Sequence, residues 1–379
     1  MLKVMTIVGT RPEIIRLSRV IARLDTVVDH VLVHTGQNYD PMLNDVFFDE
    51  LEIRRPDRTL GIDTSSLGRV LGETLIRTEE VISQACPDAV LLLGDTNSCI
   101  AAVMAKRMRV PVYHMEAGNR CFDERVPEET NRRLVDHVAD FNLVYTEHAR
   151  RNLLSEGIHP QTIILTGSPM REVLDHYRSR IDSSGVLSRL GLRRGEFILV
   201  SAHREENVDS AENLRTLLAT LREIGRRYGL PVVVSTHPRT RNRLRHLEGS
   251  EAPDGVVFHE PFGFLDYCSL QLQARCVLSD SGTVSEESAI LGFPAVTLRT
   301  RIERPEAIDA GTIVTTGLEV GPVVAGMDMV LAAAAADRTA QPRTPPAEYE
   351  VRDTSHRVVN AILSTAWTHR GARAGAAPT

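Results

Sequence analysis

Short apolar runs alternate with longer amphipathic stretches along most of this sequence, and the alternation restricts the chain to one class of fold. Runs such as residues 2–8, 89–93 and 141–145 have the length and the continuous apolar character of strands buried on both faces of a sheet. Each is followed by a polar loop and then by a helical pattern. Repeated strand–helix–strand units predict an α/β protein with parallel, doubly wound sheets.

The cycle occurs twice. Between about residues 181 and 195 the pattern lapses into short polar segments, and a new cycle begins at residues 197–200. A chain of 379 residues is also too long for one ordinary core. We therefore predict two Rossmann-like domains that face each other across a cleft. The predicted divisions are residues 1–170 for the first domain, 171–352 for the second, a last helix at 353–367 that packs back on the first domain, and a disordered tail at 371–379.

Composition excludes several classes of protein. The net charge of -6 argues against a general nucleic-acid or membrane-surface binder. Five cysteines without a Cys-x-x-Cys pair suggest neither a disulfide framework nor a zinc site. The first strand has no basic and apolar leader ahead of it, and no run approaches the ~18 apolar residues that a spanning helix needs. We expect a cytoplasmic protein that needs no metal.

Two strand-to-helix turns have the character of anion sites. After the first strand, Gly9 to Glu13 offers free amides, the positive end of a helix and the guanidinium of Arg11. In the second domain, amides at Ser281 to Thr283, with Gly282 allowing close approach, can hold a pyrophosphate, and Glu287 one turn later is available to a ribose diol. The alternatives are an ordinary turn capped by Thr10, with Arg11 in solvent, and a capping box from Thr283 to Glu286. The dinucleotide and Walker fingerprints are absent from the sequence, so a bound nicotinamide has no support.

Acid–base residues also follow predicted strands. Residues 114–133 are dense in charge and contain Glu116, at a strand end, and Glu128, in the first turn of a helix. Asp95 and His203 follow other strands, and close carboxylates in one cleft push their pKa values apart, which supplies acids and bases. Each residue also has an ordinary structural explanation: Asp95 as an N-cap, His203 as a structural histidine, His237 as part of a Thr-His-Pro turn, Glu128 and Glu129 as complements of the helix dipole, and Arg132 and Arg133 as their solvated partners.

The motifs together resemble one family, the non-hydrolysing UDP-N-acetylglucosamine 2-epimerases. The resemblance runs in order from the first strand to about Gly311. The segments at residues 116–123 and 126–129 are more similar to the branch that includes UDP-N-acetyl-L-fucosamine-forming 2-epimerases. The motifs that carry the resemblance to the family as a whole are Gly9-Thr10-Arg11-Pro12-Glu13, Gly94-Asp95-Thr96, Glu116-Ala117-Gly118, Pro127-Glu128-Glu129, Asn131-Arg132, His203-Arg204, Asp280-Ser281-Gly282 and Glu303-Arg304-Pro305-Glu306-Ala307.

The resemblance implies a GT-B-like fold, usually dimeric, without nicotinamide or metal. It also implies anti elimination of UDP to a 2-acetamidoglucal, followed by re-addition, which requires two proton-transfer groups and a clamp for UDP. The residues that match the family's functional positions are Asp95, Glu116, Glu128 and His203 for catalysis, and Arg11, His237, Ser281, Gly282 and Glu287 for nucleotide or phosphate contacts. Which carboxylate removes the proton stays open.

Two positions depart from the family pattern. Many members have Gln-His after the second strand and His-Arg-Arg-Glu in the second domain, positions tied to activation by a second UDP-N-acetylglucosamine. Here Asn38 and Glu205 replace an imidazole and a cation. We expect both changes to weaken an anionic second ligand.

Several activities remain compatible with the sequence. The first is UDP-N-acetylglucosamine 2-epimerisation to UDP-N-acetylmannosamine, and its close rival is the same reaction on a 6-deoxy sugar, giving UDP-N-acetyl-L-fucosamine. Hydrolysis of the sugar nucleotide, glycosyl transfer, and UDP binding without catalysis are compatible with it as well. The four matched acid–base positions speak against UDP binding without catalysis.

Overall fold

Two parallel sheets, one in each of two units, form the framework of the protein in the computed structural model. The structure describes residues 1–36, 47–124, 126–247, 253–337 and 344–374. Unit 1 consists of Met1–Asp175 and Glu350–Thr379, and unit 2 consists of His176–Tyr349. Asn38 lies outside the described residues.

Unit 1 contains a seven-stranded sheet in the order β3-β2-β1-β4-β5-β6-β7, in which all neighbouring strands are parallel. The order reverses direction between β1 and β4, as in doubly wound sheets. The strands are β1 (Lys3–Val8), β2 (Asp29–His34), β3 (Arg58–Thr59), β4 (Ala89–Leu93), β5 (Val112–Ala117), β6 (Phe141–Val144) and β7 (Ile163–Leu165). Its helices include α1 (Arg11–Val27), α2 (Leu67–Ala85), α3 (Ala101–Arg107), α4 (Pro127–Val138) and α5 (Glu147–Ser155), with 3₁₀ turns at Asn97–Ile100 and Pro160–Thr162.

Unit 2 repeats the plan with six parallel strands in the order β10-β9-β8-β11-β12-β13, which reverses between β8 and β11. The strands are β8 (Ile198–Ser201), β9 (Val232–Ser235), β10 (Val256–His259), β11 (Cys276–Ser279), β12 (Ala295–Thr297) and β13 (Val314–Thr315). The helices are α6 (Met170–Asp182), which begins in unit 1, then α7 (Val186–Leu190), α8 (Glu205–Val208), α9 (Ala211–Tyr228), α10 (Pro238–His246), α11 (Phe264–Gln273), α12 (Val284–Leu291), α13 (Pro305–Asp309) and α14 (Val320–Asp337), with a 3₁₀ turn at Ala347–Tyr349.

Helix α9 shows how the sequence produces these elements. The Ser210 side chain caps its start by accepting from the Asn213 N–H at 3.3 Å, and Gly229 ends it in the left-handed conformation with φ +61°. Its apolar residues recur three and four positions apart and bury one face against the sheet of unit 2. Each buried leucine contributes about 2 kcal/mol of transfer free energy. The buried residues are Leu214, Leu217, Leu218, Thr220, Leu221 and Ile224.

The last helix, α15 (Thr354–Ala374), belongs to unit 1. Tyr113 Oη and Thr365 Oγ1 lie 2.6 Å apart, and Arg23 Nε donates to Ser355 Oγ at 3.0 Å, so the helix packs against β5 and α1. It extends to residue 374, within the segment predicted as a disordered tail, and residues 375–379 are not described. No helix within the described ranges has the length and apolar character needed to cross a bilayer.

Candidate active site

The reversal of strand order in unit 1 creates a crevice at the carboxyl ends of β1 and β4, where doubly wound sheets bind ligands. Arg11 begins helix α1, directly after the turn that follows β1, and Asp95 lies in the turn after β4. Glu116 lies near the end of the adjacent strand β5. The fold therefore brings these three predicted residues to one edge of one sheet.

Glu13 connects the turn after β1 to the turn after β4 through hydrogen bonds. It is buried, and its carboxylate accepts from the Gly9 N–H at 2.7 Å, from Thr10 Oγ1 at 2.9 Å, from Thr96 Oγ1 at 2.5 Å and from Ser98 Oγ at 3.0 Å. Burial raises the pKa of this carboxyl, although the hydrogen bonds act in the opposite direction. The predicted Thr10 cap is wrong, because the hydroxyl donates to Glu13 and accepts no helix N–H.

Arg11 begins helix α1 and is partly buried. Its guanidinium carbon lies 5.3 Å from the centroid of the Phe47 ring, within the range of a cation–π contact. The side chain is therefore packed against an aromatic face at the edge of the crevice, rather than extended into solvent.

Asp95 is held by an arginine from helix α4. Arg132 Nε donates to Asp95 Oδ2 at 2.7 Å, and Arg132 Nη1 donates to Glu129 Oε2 at the same distance. Burial alone would raise the pKa of Glu129, but hydrogen bonds from Cys121 and Arg132 outweigh it and lower the pKa. Asn131 Nδ2 also donates to the Asp95 carbonyl at 2.9 Å. Both the backbone and the side chain of Asp95 are thus fixed from one helix.

The interpretation of Glu129 and Arg132 as a solvated helix face is wrong, since both are almost fully buried. Arg133 does lie at the surface, with 46% of its side chain exposed. No local signal in the sequence separates Arg132 from its neighbour Arg133, because the burial of Arg132 depends on which face of α4 meets the rest of the unit.

Glu116 has an unusual backbone. Its φ of +65° is left-handed, and the pairing of β5 with β6 shifts register between Met115 and Ala117. A non-glycine residue in this region costs roughly 1 kcal/mol or more, and a bulge turns a side chain away from the regular alternation. The carboxylate forms a buried ion pair with Arg16 of α1. It also lies beside Gly94, where an added Cβ would be 3.5 Å from Glu116 Oε2.

Glu128 lies in the first turn of α4 and is partly exposed. Among the described residues it has no hydrogen-bond or ion-pair partner. The structure thus places Glu128 at the start of the helix that carries Arg132, and it does not fix the carboxylate as it fixes Asp95 and Glu116.

In unit 2 the equivalent reversal lies between β8 and β11. His203 follows β8, and its N–H donates to the carboxylate of Asp280, which follows β11, at 2.9 and 3.1 Å. The His203 Nδ1 atom lies 3.2 Å from Asp280 Oδ1. Burial alone would raise the pKa of Asp280, but His203, the Arg204 N–H and the Asn207 amide lower it to about 2. Asp280 therefore orients His203, a role that the sequence analysis did not assign to it.

His237 occupies the N-cap of α10, where Nδ1 accepts from the Arg239 N–H at 3.3 Å. Its ring centroid lies 5.7 Å from that of His203. Nδ1 of His237 therefore has the structural role expected for a Thr-His-Pro turn. The same geometry keeps the His237 ring beside His203.

Ser281 and Gly282 form the turn that leads into α12. Ser281 Oγ lies 3.0 Å from Thr283 Oγ1, and the Gly282 carbonyl accepts from Arg304 Nε at 3.0 Å. A pocket opens here, lined by Ser281, Gly282, Val284, Ser285, Thr297, Arg299, Ile302, Glu303 and Arg304. The two predicted phosphate residues therefore lie at a concave site with two buried arginines.

The proposed capping box is not formed. The Thr283 side chain makes no cap hydrogen bond, and Glu286 is fully buried, where it accepts from Arg304 Nη1 at 2.7 Å. Glu287 is 8% exposed, and its Oε2 accepts from Gln271 Nε2 at 2.6 Å. Glu287 is thus held in a defined orientation at the start of α12.

Glu205, one of the two departures from the family pattern, has a partner of its own: it forms an ion pair with Arg239 at 2.6 Å. The neighbouring Glu206, which matches the family pattern, has Oε1 3.5 Å from Arg299 Nε. Within the described ranges, no group of three or more His, Cys, Asp or Glu residues is placed to hold a metal ion.

Comparison with known proteins places this geometry in a family. The family model described as UDP-N-acetylglucosamine 2-epimerase matches residues 22–363. The UDP-2,3-diacetamido-2,3-dideoxy-D-glucuronate 2-epimerase of Pseudomonas aeruginosa is 36% identical over 322 residues, which cover 83% of this chain and 88% of the relative.

Two solved structures have the same fold over nearly their whole length. The UDP-N-acetylglucosamine 2-epimerase from Rickettsia bellii is 42% identical, with a TM-score of 0.90 and coverage of 97% of this chain and 98% of that one. The Methanocaldococcus jannaschii UDP-GlcNAc 2-epimerase, solved in complex with UDP-GlcNAc and UDP, is 31% identical, with a TM-score of 0.88 and coverage of 96% and 100%.

These matches confirm the predicted fold class, α/β with two Rossmann-like domains as in GT-B proteins. They also confirm the resemblance stated from the motifs and the prediction of an epimerase. The chain is an isomerase that belongs to the UDP-N-acetylglucosamine 2-epimerase family.

Proposed function

We propose that this protein interconverts UDP-N-acetylglucosamine and UDP-N-acetylmannosamine. The main support is the pair of carboxylates in unit 1: Asp95 follows β4, Glu116 lies near the end of the neighbouring strand β5, and each is held by its own buried arginine. A relative of the same fold was solved with UDP-GlcNAc and UDP. Positioned carboxylates at the carboxyl edge of a doubly wound sheet are suited to proton transfer on a bound ligand.

The proposed reaction is an anti elimination followed by re-addition. A base takes the proton from sugar C2, the C2–H electrons form the C1–C2 double bond, and the C1–O bond breaks so that UDP leaves with its electron pair. The 2-acetamidoglucal then accepts a proton at C2 on the opposite face, and the UDP oxygen returns to C1. Two proton-transfer groups are therefore required. We assign them to the set Asp95, Glu116 and Glu128 without choosing the member that removes the proton.

In this proposal, unit 2 binds the nucleotide. The Asp280 carboxylate faces Nδ1 of His203 and accepts its proton in a hydrogen bond, which orients the ring. Nε2 stabilises the departing diphosphate when it also carries a proton, because the diphosphate oxygens only accept hydrogen bonds. The amides of Ser281 and Gly282 are the expected diphosphate contacts, as at other strand-to-helix turns. Glu287, oriented by Gln271, is the expected partner of the ribose diol. Arg11 and His237 add positive or hydrogen-bonding groups for phosphate.

We also propose that the protein does not need a second UDP-N-acetylglucosamine as activator. Glu205, a carboxylate, replaces the cation that the family has at this position, and its ion pair with Arg239 also compensates a neighbouring positive charge, so an anionic second ligand loses attraction from both residues. The test is the rate with UDP-N-acetylmannosamine alone. The proposal predicts that product forms without a lag and that the initial rate depends hyperbolically on substrate concentration. A lag in product formation that traces of UDP-N-acetylglucosamine remove would contradict it.

A second candidate substrate is the 6-deoxy UDP-sugar whose epimerisation gives UDP-N-acetyl-L-fucosamine. It is favoured by the segments at residues 116–123 and 126–129, which resemble the fucosamine-forming branch. The family also includes an enzyme named for a different UDP-sugar, the Pseudomonas aeruginosa relative. Members of the family thus differ in the UDP-sugar for which they are named, so the substrate of this protein is identified by assay with each sugar.

Deuterated water distinguishes the two substrates. The purified protein is incubated with each UDP-sugar, and deuterium at C2 is followed by NMR, because epimerisation must exchange that hydrogen in the true substrate. Exchange in only one sugar identifies it. Free UDP without an epimer would instead indicate hydrolysis, and the absence of exchange in both sugars would overturn both proposals.

We further propose that the protein works as a homodimer in the cytoplasm, as the family resemblance implies. Light scattering coupled to size exclusion gives the mass directly, to be compared with 42.0 kDa for one chain. A single species of one-chain mass at assay concentration would refute the dimer.

A further inference from the structure

His114 lies beneath the candidate active site and takes no part in the chemistry described above. It is on strand β5, two residues before Glu116, and is 1% exposed. Its ring has two polar contacts: Nε2 lies 2.8 Å from the Gly94 carbonyl oxygen, and Nδ1 lies 2.9 Å from Asp136 Oδ1.

Both of these partners are acceptors. A backbone carbonyl can only accept, so Nε2 must carry a proton. Asp136 is also surrounded by donors, since its Oδ2 accepts from Arg120 Nη1 at 2.7 Å and from the Gly118 N–H at 3.1 Å. An ionised carboxylate with these donors accepts from Nδ1 as well. The His114 and Arg120 groups outweigh burial and lower the pKa of Asp136, and with this carboxyl ionised both ring nitrogens must carry protons, which makes His114 an imidazolium.

The surrounding charges are compatible with a buried cation. The charged groups that face or neighbour His114 are Asp136 on α4, Arg120 in the loop after β5, and Asp95 after β4. Burial alone would lower the pKa of His114, but Asp136 outweighs burial and raises it. Arg120 is balanced in turn by a bidentate pair with Glu156, at 2.8 and 2.6 Å.

The two contacts of the ring lead to the two candidate catalytic carboxylates. Gly94 immediately precedes Asp95, and its φ of +76° places it in the left-handed region that favours glycine. Asp136 holds the N–H of Gly118, two residues after Glu116. One protonated ring therefore connects the turn that carries Asp95 to the loop that follows Glu116.

We propose that His114 is a permanently protonated positioning residue that sets the places of Asp95 and Glu116 relative to each other. The inference rests on the proposed function for the roles of those carboxylates, but the protonation state of His114 does not. A neutral ring would leave either Gly94 or Asp136 without its donor, and the turn or the loop would lose one of its fixed points.

Protonation is tested on the whole protein labelled with ¹⁵N-histidine, at pH 8, well above the ordinary histidine pKa of about 6.5. We expect both nitrogens of His114 to be proton-bound, with the signals assigned by their loss in His114→Gln. His34 is an internal control: it is also buried, but its Nδ1 accepts from the Gly36 N–H at 2.9 Å, so its ring must be neutral. A neutral, single-tautomer pattern for His114 would overturn the proposal.

Positioning is tested by kinetics with the true substrate. Since glutamine has one side-chain nitrogen and cannot place it at both ring-nitrogen positions, His114→Gln is expected to lower kcat on the order of 10- to 100-fold. KM should change little, because the residue does not contact substrate. A wild-type kcat in folded His114→Gln would refute the positioning role. Absence of C2 exchange in the wild-type protein would refute the proposed function alone and leave the imidazolium result intact.

Asp136→Asn supplies a second, independent arm. It removes the negative partner while keeping a hydrogen-bonding side chain of the same shape, so His114 is expected to become neutral at pH 8. The ¹⁵N pattern should then change toward that of His34, and kcat should fall with it. An imidazolium signal that persists in Asp136→Asn would show that Asp136 does not hold the charge, and would contradict the proposed network.

Discussion

Arg132 reaches Asp95 from a buried position, with Nε 2.7 Å from Asp95 Oδ2, while its Nη1 holds Glu129 at the same distance. A single guanidinium thus joins the turn after β4 to the start of α4. Arginine is suited to this role because its planar fork presents several donors in a fixed geometry, which a lysine ammonium does not.

The first prediction concerns this guanidinium. Arg132→Lys keeps the charge but cannot make both contacts, so we expect kcat to fall on the order of 10- to 100-fold and the protein to lose about 2 kcal/mol of stability. Steady-state kinetics and urea unfolding measure the two effects. Arg133→Lys, one position along the same helix but exposed, is the matched control and should stay within about 0.5 kcal/mol of the wild type. Equal effects at both positions would contradict the role of Arg132.

The second prediction separates chemistry from binding. Asp95→Asn, Glu116→Gln and Glu128→Gln should each lower turnover by about 10²-fold or more, while UDP binding measured by calorimetry is largely kept. Glu124→Gln serves as the control because Glu124 is an exposed carboxylate in the same region. Normal turnover in Glu128→Gln would mean that the catalytic role proposed for Glu128 is mistaken. This variant is the most stringent of the three, because the described residues include no hydrogen-bond or ion-pair partner for Glu128.

The third prediction follows from Asp280, whose folded pKa of about 2 lies below the unfolded value of 3.8. A depressed carboxyl pKa contributes stability that is complete above about pH 4 and is lost as the pH falls toward 2. The contribution is about 2 kcal/mol. Asp280→Asn should therefore flatten the pH dependence of unfolding between pH 5 and 2, as followed by scanning calorimetry. Asp309→Asn, at an exposed position of the same unit, should leave the slope unchanged.

Most of the framework could be predicted from the sequence because buried parallel strands leave a strong signal. Runs such as Ala89–Leu93 are continuous and apolar, and their predicted bounds lie close to the observed ones. The strands Arg58–Thr59, Ala295–Thr297 and Val314–Thr315 were missed, because two or three residues are too few to show a period. Strand β5 ends without an apolar run to mark it, because its last residues, up to Ala117, include Glu116.

The candidate site was less predictable for a different reason. Asp95 and Glu116 could be selected because polar residues at the ends of apolar strands stand out against their surroundings. Their supports, Arg16 and Arg132, lie inside helices rich in charge, where burial depends on which helix face meets the sheet. That choice is made by tertiary packing and leaves no local signal in an amphipathic helix with several arginines.

The fourth prediction concerns Phe122, which combines 65% exposure with a left-handed φ of +54°. Its neighbours are fixed, since the Cys121 N–H donates to Glu129 and the Val126 N–H donates to the Asp123 carbonyl. Strained, exposed aromatic residues between fixed neighbours are candidates for ligand contact. We expect Phe122→Ala to change the ratio of kcat/KM between UDP-N-acetylglucosamine and the 6-deoxy sugar by about tenfold.

Two further variants make this test sharper. Phe122→Gly should match Phe122→Ala in the kinetic ratio but be more stable by about 0.5 to 1 kcal/mol, because glycine accepts positive φ. Ile76→Ala removes a comparably exposed side chain from helix α2 and should leave the ratio unaltered. A ratio that stays constant in both Phe122 variants would exclude this residue from sugar recognition.

The fifth prediction uses two glycines with nearly the same backbone. Gly118 and Gly157 have φ of +80° and +84°, but a Cβ on Gly118 would lie 2.4 Å from the Ala149 carbonyl oxygen of α5, whereas a Cβ on Gly157 meets nothing within 4 Å. Gly157→Ala should cost about 1 kcal/mol for the conformation alone. Gly118→Ala adds a backbone clash and should cost about 3 kcal/mol or more in urea unfolding. It should also lower kcat, because the N–H of Gly118 is held by Asp136 in the loop that follows Glu116. Equal losses of stability would show that α5 can move away from this loop, and the support inferred for Glu116 would then be weaker than the contacts indicate.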